Sequence, residues 1–271
     1  MHAPRVWTPP TGTLGGLTAA AHERAAGVAA GLDSLRAQVR DLAPALPFAA
    51  GLRGDRIRVI AEVKRASPSK GAIAPGIDAA AQAASYVDGG AAAISVLTEP
   101  TRFGGSLYDL RAVTARVAVP VIRKDFLVAP VQLWEARAAG ASAALLIVRA
   151  LSPDELPMLM DTIRECGLEA IVEIRDRWEL DRALAVDARV IGVNNRDLET
   201  LVIDPATAPN LIPAIPADRI AVAESGMREP ADVVPAAGAG ADAILVGSAV
   251  SAATSPADAV RALGGFARVS R

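Results

Sequence analysis

From Ile57 onward the chain repeats one pattern. A short apolar run rich in β-branched residues gives way to a polar loop, and the loop leads into an Ala-rich stretch with helical spacing. The runs are Ile57–Val63, Ala92–Leu97, Val119–Arg123, Ala143–Val148, Ala170–Ile174, Val190–Val193, Ile220–Ala223 and Ala243–Val246. They are near-continuously hydrophobic instead of alternating, as parallel strands covered on both faces must be. Helices are predicted between and after them over Asp78–Asp88, Leu107–Arg116, Pro130–Ala139, Pro153–Cys166, Arg177–Leu184, Glu229–Ala237 and Ala257–Phe266, with a short one near Pro205–Ile212. Gly140 and Gly167 stand just past predicted helix ends, where a positive φ is wanted. Ser152-Pro153 and Ser255-Pro256 fit an N-cap followed by proline at the first helical position.

Strand–helix units in this number and order predict an α/β chain folded as a (β/α)8 TIM barrel. A doubly wound open sheet is the alternative. It more often carries a Gly-rich phosphate loop after its first strand, and the segment Glu62–Gly71 is not one. Ahead of the first strand, Leu14–Leu42 predicts one or two additional helices, with Leu32, Leu35, Val39 and Leu42 at helical spacing. The expected organisation is an N-terminal tail and helical extension over residues 1–50, capping one barrel end. Residues 51–271 then form the barrel, a single catalytic domain.

Composition narrows the chemistry. Aromatic residues are only 3% of the 271, so the core is built from Ala, Val, Leu and Ile. A net charge of -2 without an arginine block leaves no electrostatic footprint for nucleic acid. The single cysteine, Cys166, excludes an internal disulfide and a Cys-based zinc cluster. Only His2 and His22 are present, both near the N-terminus, so acid–base work falls to Lys and Glu and no metal site is expected. No signal-peptide pattern and no apolar run of about 18 residues is present, so no membrane partner and a cytoplasmic location are expected.

Of the 28 Lys and Arg residues only three are lysines: Lys64, Lys70 and Lys124. Where arginine serves for ordinary surface charge, a retained lysine points to a need for an ammonium that can give up a proton. Lys64 and Lys124 each stand where an apolar run ends. In a parallel barrel all such ends meet at one rim. Those ends carry Glu62 and Lys64, Thr98 and Glu99, Lys124 and Asp125, Arg149, Glu173, Asn194 to Arg196, Glu224 and Ser225, and Gly247 and Ser248. Glu62, Lys64, Lys124, Glu173 and Glu224 together suit mutual pKa tuning. Glu99, Asp125 and Arg149 are expected to be solvated loop charges. Ser225-Gly226 and Gly247-Ser248, after the seventh and eighth runs, fall where such barrels hold phosphate, and Lys64 and Ser67 lie beside them around the ring. Phe103, Phe126, Leu145 and Leu198 are candidates for an apolar substrate wall, or for core. Trp134 and Trp178 fall inside predicted helices, facing the barrel exterior.

The segment Val59–Gly71 (Val-Ile-Ala-Glu-Val-Lys-Arg-Ala-Ser-Pro-Ser-Lys-Gly) closely resembles the signature of the indole-3-glycerol phosphate synthase family. So do Ile94–Glu99, Phe103–Leu107, Arg123–Phe126, Glu135–Gly140, Val172-Glu173, Gly192–Leu198 and Ala223–Gly226, and the similarity runs from about Leu46 to Leu263. The resemblance implies a (β/α)8 barrel converting 1-(2-carboxyphenylamino)-1-deoxyribulose 5-phosphate to indole-3-glycerol phosphate, carbon dioxide and water. It implies a phosphorylated small-molecule substrate and no metal or organic cofactor. It further implies Lys124 as the acid on the ketone, Lys64 as the acid that expels hydroxide, and Glu173 as the base that removes the ring proton. Glu62 and Glu224 would orient the lysines and sugar hydroxyls, and Asn194 would hold a hydroxyl. Arg196 would steer the substrate carboxylate, and Ser67, Ser225, Gly226, Gly247 and Ser248 would cradle phosphate. Ala129, Arg149, Arg175 and Ser248 depart from the usual family pattern. Two other classes share parts of this residue set: a Schiff-base aldolase, with a nucleophilic strand-end lysine, and a non-catalytic phosphosugar-binding barrel.

Overall fold

The computed structural model describes residues 5–271, so His2 lies outside the described residues. The first barrel strand is β1 (Arg58–Val63). A short hairpin of β2 (Ala66–Ser67) and β3 (Gly71–Ala72) follows it. The other barrel strands are β4 (Ala93–Leu97), β5 (Val121–Lys124), β6 (Ala143–Ile147), β7 (Glu169–Ile174), β8 (Val190–Asn194), β9 (Ile220–Glu224) and β10 (Ala243–Val246). They close into an eight-stranded barrel in which every neighbouring pair is parallel and β4 returns to β1. Each predicted run contains or overlaps one strand. The runs are buried nearly end to end because helices cover the outside while side chains fill the inside.

Strand register decides which side chains share a level. Leu97 pairs with Lys124, Glu173 with Gly192, and Asn194 with Glu224. Charged and amide side chains from separate strands are thereby brought together at the C-terminal rim. Gly140 and Gly167 take φ of 87° and 72°, the left-handed conformation that ends their helices.

Three helices precede the barrel: α1 (Gly12–Val28), α2 (Leu32–Arg40) and α3 (Phe48–Gly51). Helix α1 buries Leu14, Leu17, Ala21 and Ala25. Leu32, Leu35 and Val39 of α2 pack against the core as their spacing predicts, but Leu42 lies past the helix end and is exposed. The N-terminus of α3 rests on a barrel strand: Glu169 accepts from the backbone N–H of Phe48 at 2.7 Å and of Ala49 at 3.1 Å. A carboxylate there satisfies orphan donors and suits the helix dipole. The boundary expected at residue 50 therefore falls inside α3.

The barrel helices α4 (Ala79–Asp88), α5 (Pro100–Phe103), α6 (Leu107–Arg116), α7 (Pro130–Ala138), α8 (Glu155–Glu165) and α9 (Arg177–Ala185) follow in order. After them come α10 (Thr207–Leu211), α11 (Pro230–Gly238), α12 (Ser248–Ser251) and α13 (Pro256–Leu263). Helix α8 begins two residues later than Pro153, yet Ser152 is its cap: Glu155 N–H donates to Ser152 Oγ and Ser152 N–H to the Glu155 carboxylate. Trp134 is buried on α7 with Arg36 stacked 5.5 Å from its ring centroid. Trp178 of α9 lies between Arg5 and Arg182.

The opposite barrel end is tied by the C-terminal residues. Buried Asp242, just before β10, pairs with Arg271 at 2.8 Å and Arg268 at 3.1 Å and accepts from Ala221 N–H. Removing a buried partner leaves the rest uncompensated, at roughly 3 kcal/mol. Asp242→Ala should therefore lower the melting temperature by about 6–12 °C in calorimetry, with room-temperature turnover unchanged. An unshifted melting temperature would show that the tie carries no stability.

Candidate active site

Each barrel strand that ends in a charged or amide side chain delivers it into one open cleft at the C-terminal rim, with about 1130 Å³ of empty space. Lys64, Lys124, Glu62, Glu173, Glu224, Asn194, Arg196, Ser67, Phe103, Phe126, Leu145, Leu198, Ser225, Gly226, Gly247 and Ser248 all line it.

At its floor two lysines meet three carboxylates. Lys64 Nζ lies 2.6 Å from Glu62. Lys124 Nζ lies 2.6 Å from Glu224 and 3.4 Å from Glu173. Asn194 donates its amide to the second oxygen of Glu173 at 2.9 Å, and its own carbonyl accepts from Arg196 N–H at 2.9 Å. Every group is buried or nearly so, so these charges act on one another with little screening. Burial alone would favour a neutral Lys124, but Glu224, Glu173 and Glu62 outweigh it and hold the ammonium firmly protonated. Burial would likewise raise Glu62, yet Lys64 and Lys124 keep its carboxyl below the usual range. The fully ionised cluster carries one surplus negative charge. Glu224 is where it shows: burial pushes its carboxyl up to about 7 against the pull of Lys124. Glu224 Oε1 is buried without a hydrogen-bond partner among the described residues, against the bare backbone of Gly192, where any Cβ would collide with it.

The end of β1 is fixed by hydroxyls that no sequence pattern singles out. Ser251 donates to Glu62 O at 2.9 Å and accepts from Lys64 N–H at 3.2 Å. Tyr86 lies 3.1 Å from Ser251, with its hydroxyl pushed up to about 12 by burial. Ser95 donates to Glu62 at 3.3 Å. Thr13 and Leu17 of α1 also reach the cleft. No sequence signal marks either, because neither lies near a strand end.

The solvated loop charges expected at Glu99 and Asp125 are instead fully buried. Glu99 caps α5, accepting from the N–H groups of Thr101, Arg102 and Phe103. Asp125 accepts from Thr98 at 2.7 Å and from Arg24 of α1 at 2.9 Å. Arg149 is partly buried and binds Glu199 at 3.0 Å and Thr8 O at 2.6 Å, tying the N-terminal segment to the rim. Ala129 offers no side-chain cap to α7; Gln132 compensates by accepting from Val128 and Ala129 N–H.

One wall of the cleft is apolar. Phe103 and Phe126 rings lie 6.2 Å apart, with Lys64 Nζ 5.9 Å from the Phe103 centroid. Across from them, Arg196 donates to Ser69 Oγ and Leu201 O, and among the described residues no carboxylate pairs with it. Ser225 and Gly226 both take positive φ, 66° and 90°, in the tight turn after β9. At Gly247 a Cβ would stand 2.5 Å from Glu62 Oε1 and 3.2 Å from Lys64 Nζ, so any side chain there would displace the ends of that pair.

Such a floor, set at the C-terminal rim of a closed parallel barrel, is the arrangement of a (β/α)8-barrel enzyme and is suited to acid–base chemistry. A family model described as indole-3-glycerol phosphate synthase matches residues 19–263. Indole-3-glycerol phosphate synthase 1 of Streptomyces coelicolor is 50% identical over 247 residues, covering 91% of each chain. The Kineococcus radiotolerans indole-3-glycerol phosphate synthase is 55% identical over 204 residues, 75% of this chain and 74% of that one. Among solved structures, 3-hexulose-6-phosphate synthase from Salmonella typhimurium superposes with a TM-score of 0.62 at 16% identity, over 76% of this chain and 96% of that one. That likeness is one of fold alone. The chain belongs to the indole-3-glycerol phosphate synthase family, the ring-closing carboxy-lyases of tryptophan biosynthesis.

Proposed function

We propose that this site runs the family reaction by dividing proton transfers among the floor residues. Lys124 protonates the ketone of the phosphorylated substrate as the aromatic carbon attacks it. Glu173 removes the carbon-bound proton of the newly closed ring, and Lys64 protonates the departing hydroxyl. Glu62 and Glu224 hold the two ammoniums, and Asn194 fixes Glu173 and faces a hydroxyl. Arg196 takes the substrate carboxylate, and Phe103, Phe126, Leu145 and Leu198 enclose the aromatic ring. Ser67, Ser225, Gly226, Gly247 and Ser248 receive the phosphate.

The observation that carries this reading is Lys124 bracketed by Glu224 and Glu173 at 2.6 and 3.4 Å. An ammonium held protonated between two carboxylates is unsuited to attack as a free amine, so the geometry favours a synthase over a Schiff-base aldolase. The test is indole fluorescence on mixing purified protein with the carboxyphenylamino substrate. Covalent trapping of substrate by borohydride, without indole, would overturn the reading.

The phosphate assignment makes a separate prediction. Gly247→Asp places a carboxylate beside the proposed anion and displaces Glu62 and Lys64. Charge-assisted hydrogen bonds are worth roughly 1.5–3 kcal/mol each, so substrate affinity should fall at least tenfold. Inorganic phosphate should protect wild type against heat and fail to protect the variant. Equal protection would move the cradle elsewhere.

A further inference from the structure

The family reaction has a charge balance that the floor residues alone do not close. The substrate carboxylate leaves as neutral carbon dioxide, one oxygen leaves as water, and the phosphate is unchanged. One proton must therefore be taken up from solvent in each turnover. In the proposed mechanism it restores Lys124, which ends the ketone step as a free amine. With substrate in the main cleft, the open path to Lys124 is occupied.

A second cleft, with about 510 Å³ of empty space, opens beside the first. Ile147, Glu173, Asn194, Arg196 and Leu198 line both, so Glu173 stands in the wall between them. Glu179 of α9 also lines the second cleft and is 3% exposed. One of its oxygens accepts from Arg175 N–H at 2.7 Å, and the other has no hydrogen-bond partner among the described residues. None of the proton transfers assigned to the floor uses this carboxyl.

We propose that Glu179 relays protons from solvent to Glu173 through the second cleft. The inference rests on the family reaction running at this floor. A proton taken up by the Glu179 carboxylate passes through water in that cleft to Glu173. Glu173 Oε2, 3.4 Å from Lys124 Nζ, delivers it to the amine. This delivery precedes ring-proton removal, so Glu173 is a carboxylate again when that step comes. The ring proton it then takes replaces the one Lys64 gives to the departing hydroxyl, and one solvent proton is consumed per turnover. The surroundings suit exchange near neutrality. Burial, reinforced by Asp176 and Glu173 and opposed by the Arg175 N–H and Arg5, pushes the Glu179 carboxyl up to about 7. Arg149, Arg175, Arg182, Arg196, Asp197 and Glu199 are the other charged neighbours on this side of the rim.

Glu179 also has a local task. Its N–H donates to Asp176 and its carboxylate receives Arg175 N–H, which shapes the turn into α9. Glutamine can still accept that N–H but cannot carry the proton. Glu179→Gln should therefore lower kcat about tenfold, a modest share of what proton transfer contributes, with KM within about twofold of wild type. Added imidazole at constant ionic strength should restore much of the loss, and the solvent isotope effect on kcat should grow. Asp242→Ala, which loosens the opposite barrel end and leaves the Glu179 surroundings intact, should lower the melting temperature and keep kcat. An unchanged kcat and isotope effect in Glu179→Gln would overturn the relay. So would a loss that imidazole leaves untouched, or an equal loss in Asp242→Ala. Absence of indole product from wild type in the same assay would instead count against the functional reading itself.

Discussion

Lys124→Arg is expected to lose turnover by roughly 10²–10⁴-fold, the range that general acid catalysis contributes. The substitution keeps the positive charge, so it isolates the proton from the charge. Guanidinium is too weak an acid to give a proton to a ketone. Its planar fork would still satisfy Glu224 and Glu173, which are 1% and 4% exposed and need a cation between them. Folding should accordingly survive, visible as an unchanged circular dichroism spectrum. Lys124→Met should be harsher, because it leaves the three carboxylates facing one another with Lys64 alone. Glu224, already at about 7, would then rise further and hold a proton across the neutral range. Steady-state kinetics with the carboxyphenylamino substrate decides the point. Near-normal kcat in Lys124→Arg would remove Lys124 from proton transfer and leave Lys64 as the acid on the ketone.

The strand ends were legible because a parallel barrel converts a one-dimensional cue into a place. Where an apolar run stops on a charged residue, that residue is at the rim, and neighbouring strands bring Lys124, Glu173 and Glu224 together across long sequence separations. The partners of loop residues were not legible. Glu99 and Asp125 look like solvated charges in the sequence because polarity shows there and partners do not. Asp125 is buried because Arg24, 101 positions earlier, reaches it from α1. The contribution of Thr13 and Leu17 was hidden for the same reason: docking of the extension depends on packing, with no periodic signal of its own. Leu42 shows the converse failure, since helical spacing continued past the point where α2 ends at Arg40. Gly192 belonged to a recognised motif, yet its function as bare backbone making room for the Glu224 carboxyl required the register of β7, β8 and β9.

Glu173→Gln is expected to lower kcat by a similar roughly 10²–10⁴-fold with little change in KM, the pattern of an interaction made mainly in the transition state. Both partners of the Glu173 carboxylate are donors: Lys124 Nζ on one oxygen and the Asn194 amide on the other. Glutamine replaces one acceptor oxygen with an NH₂ group, so one donor must face another. Asn194 cannot relieve this by turning over, because its carbonyl is already engaged by Arg196 N–H. Lys124 also loses one of the carboxylates that hold it charged. The variant thus removes the base and loosens the acid together, while the apolar wall and the Gly247-Ser248 lip are untouched. Substrate deuterated at the carbon that loses its proton separates the two effects. If Glu173 is the base, the isotope effect on kcat should grow in the variant as proton removal becomes limiting. An isotope effect unchanged from wild type, with kcat reduced, would assign the loss to Lys124. A raised KM with kcat intact would make Glu173 a substrate-positioning residue, and Glu62, paired with Lys64 at 2.6 Å, would then be the remaining candidate for the base.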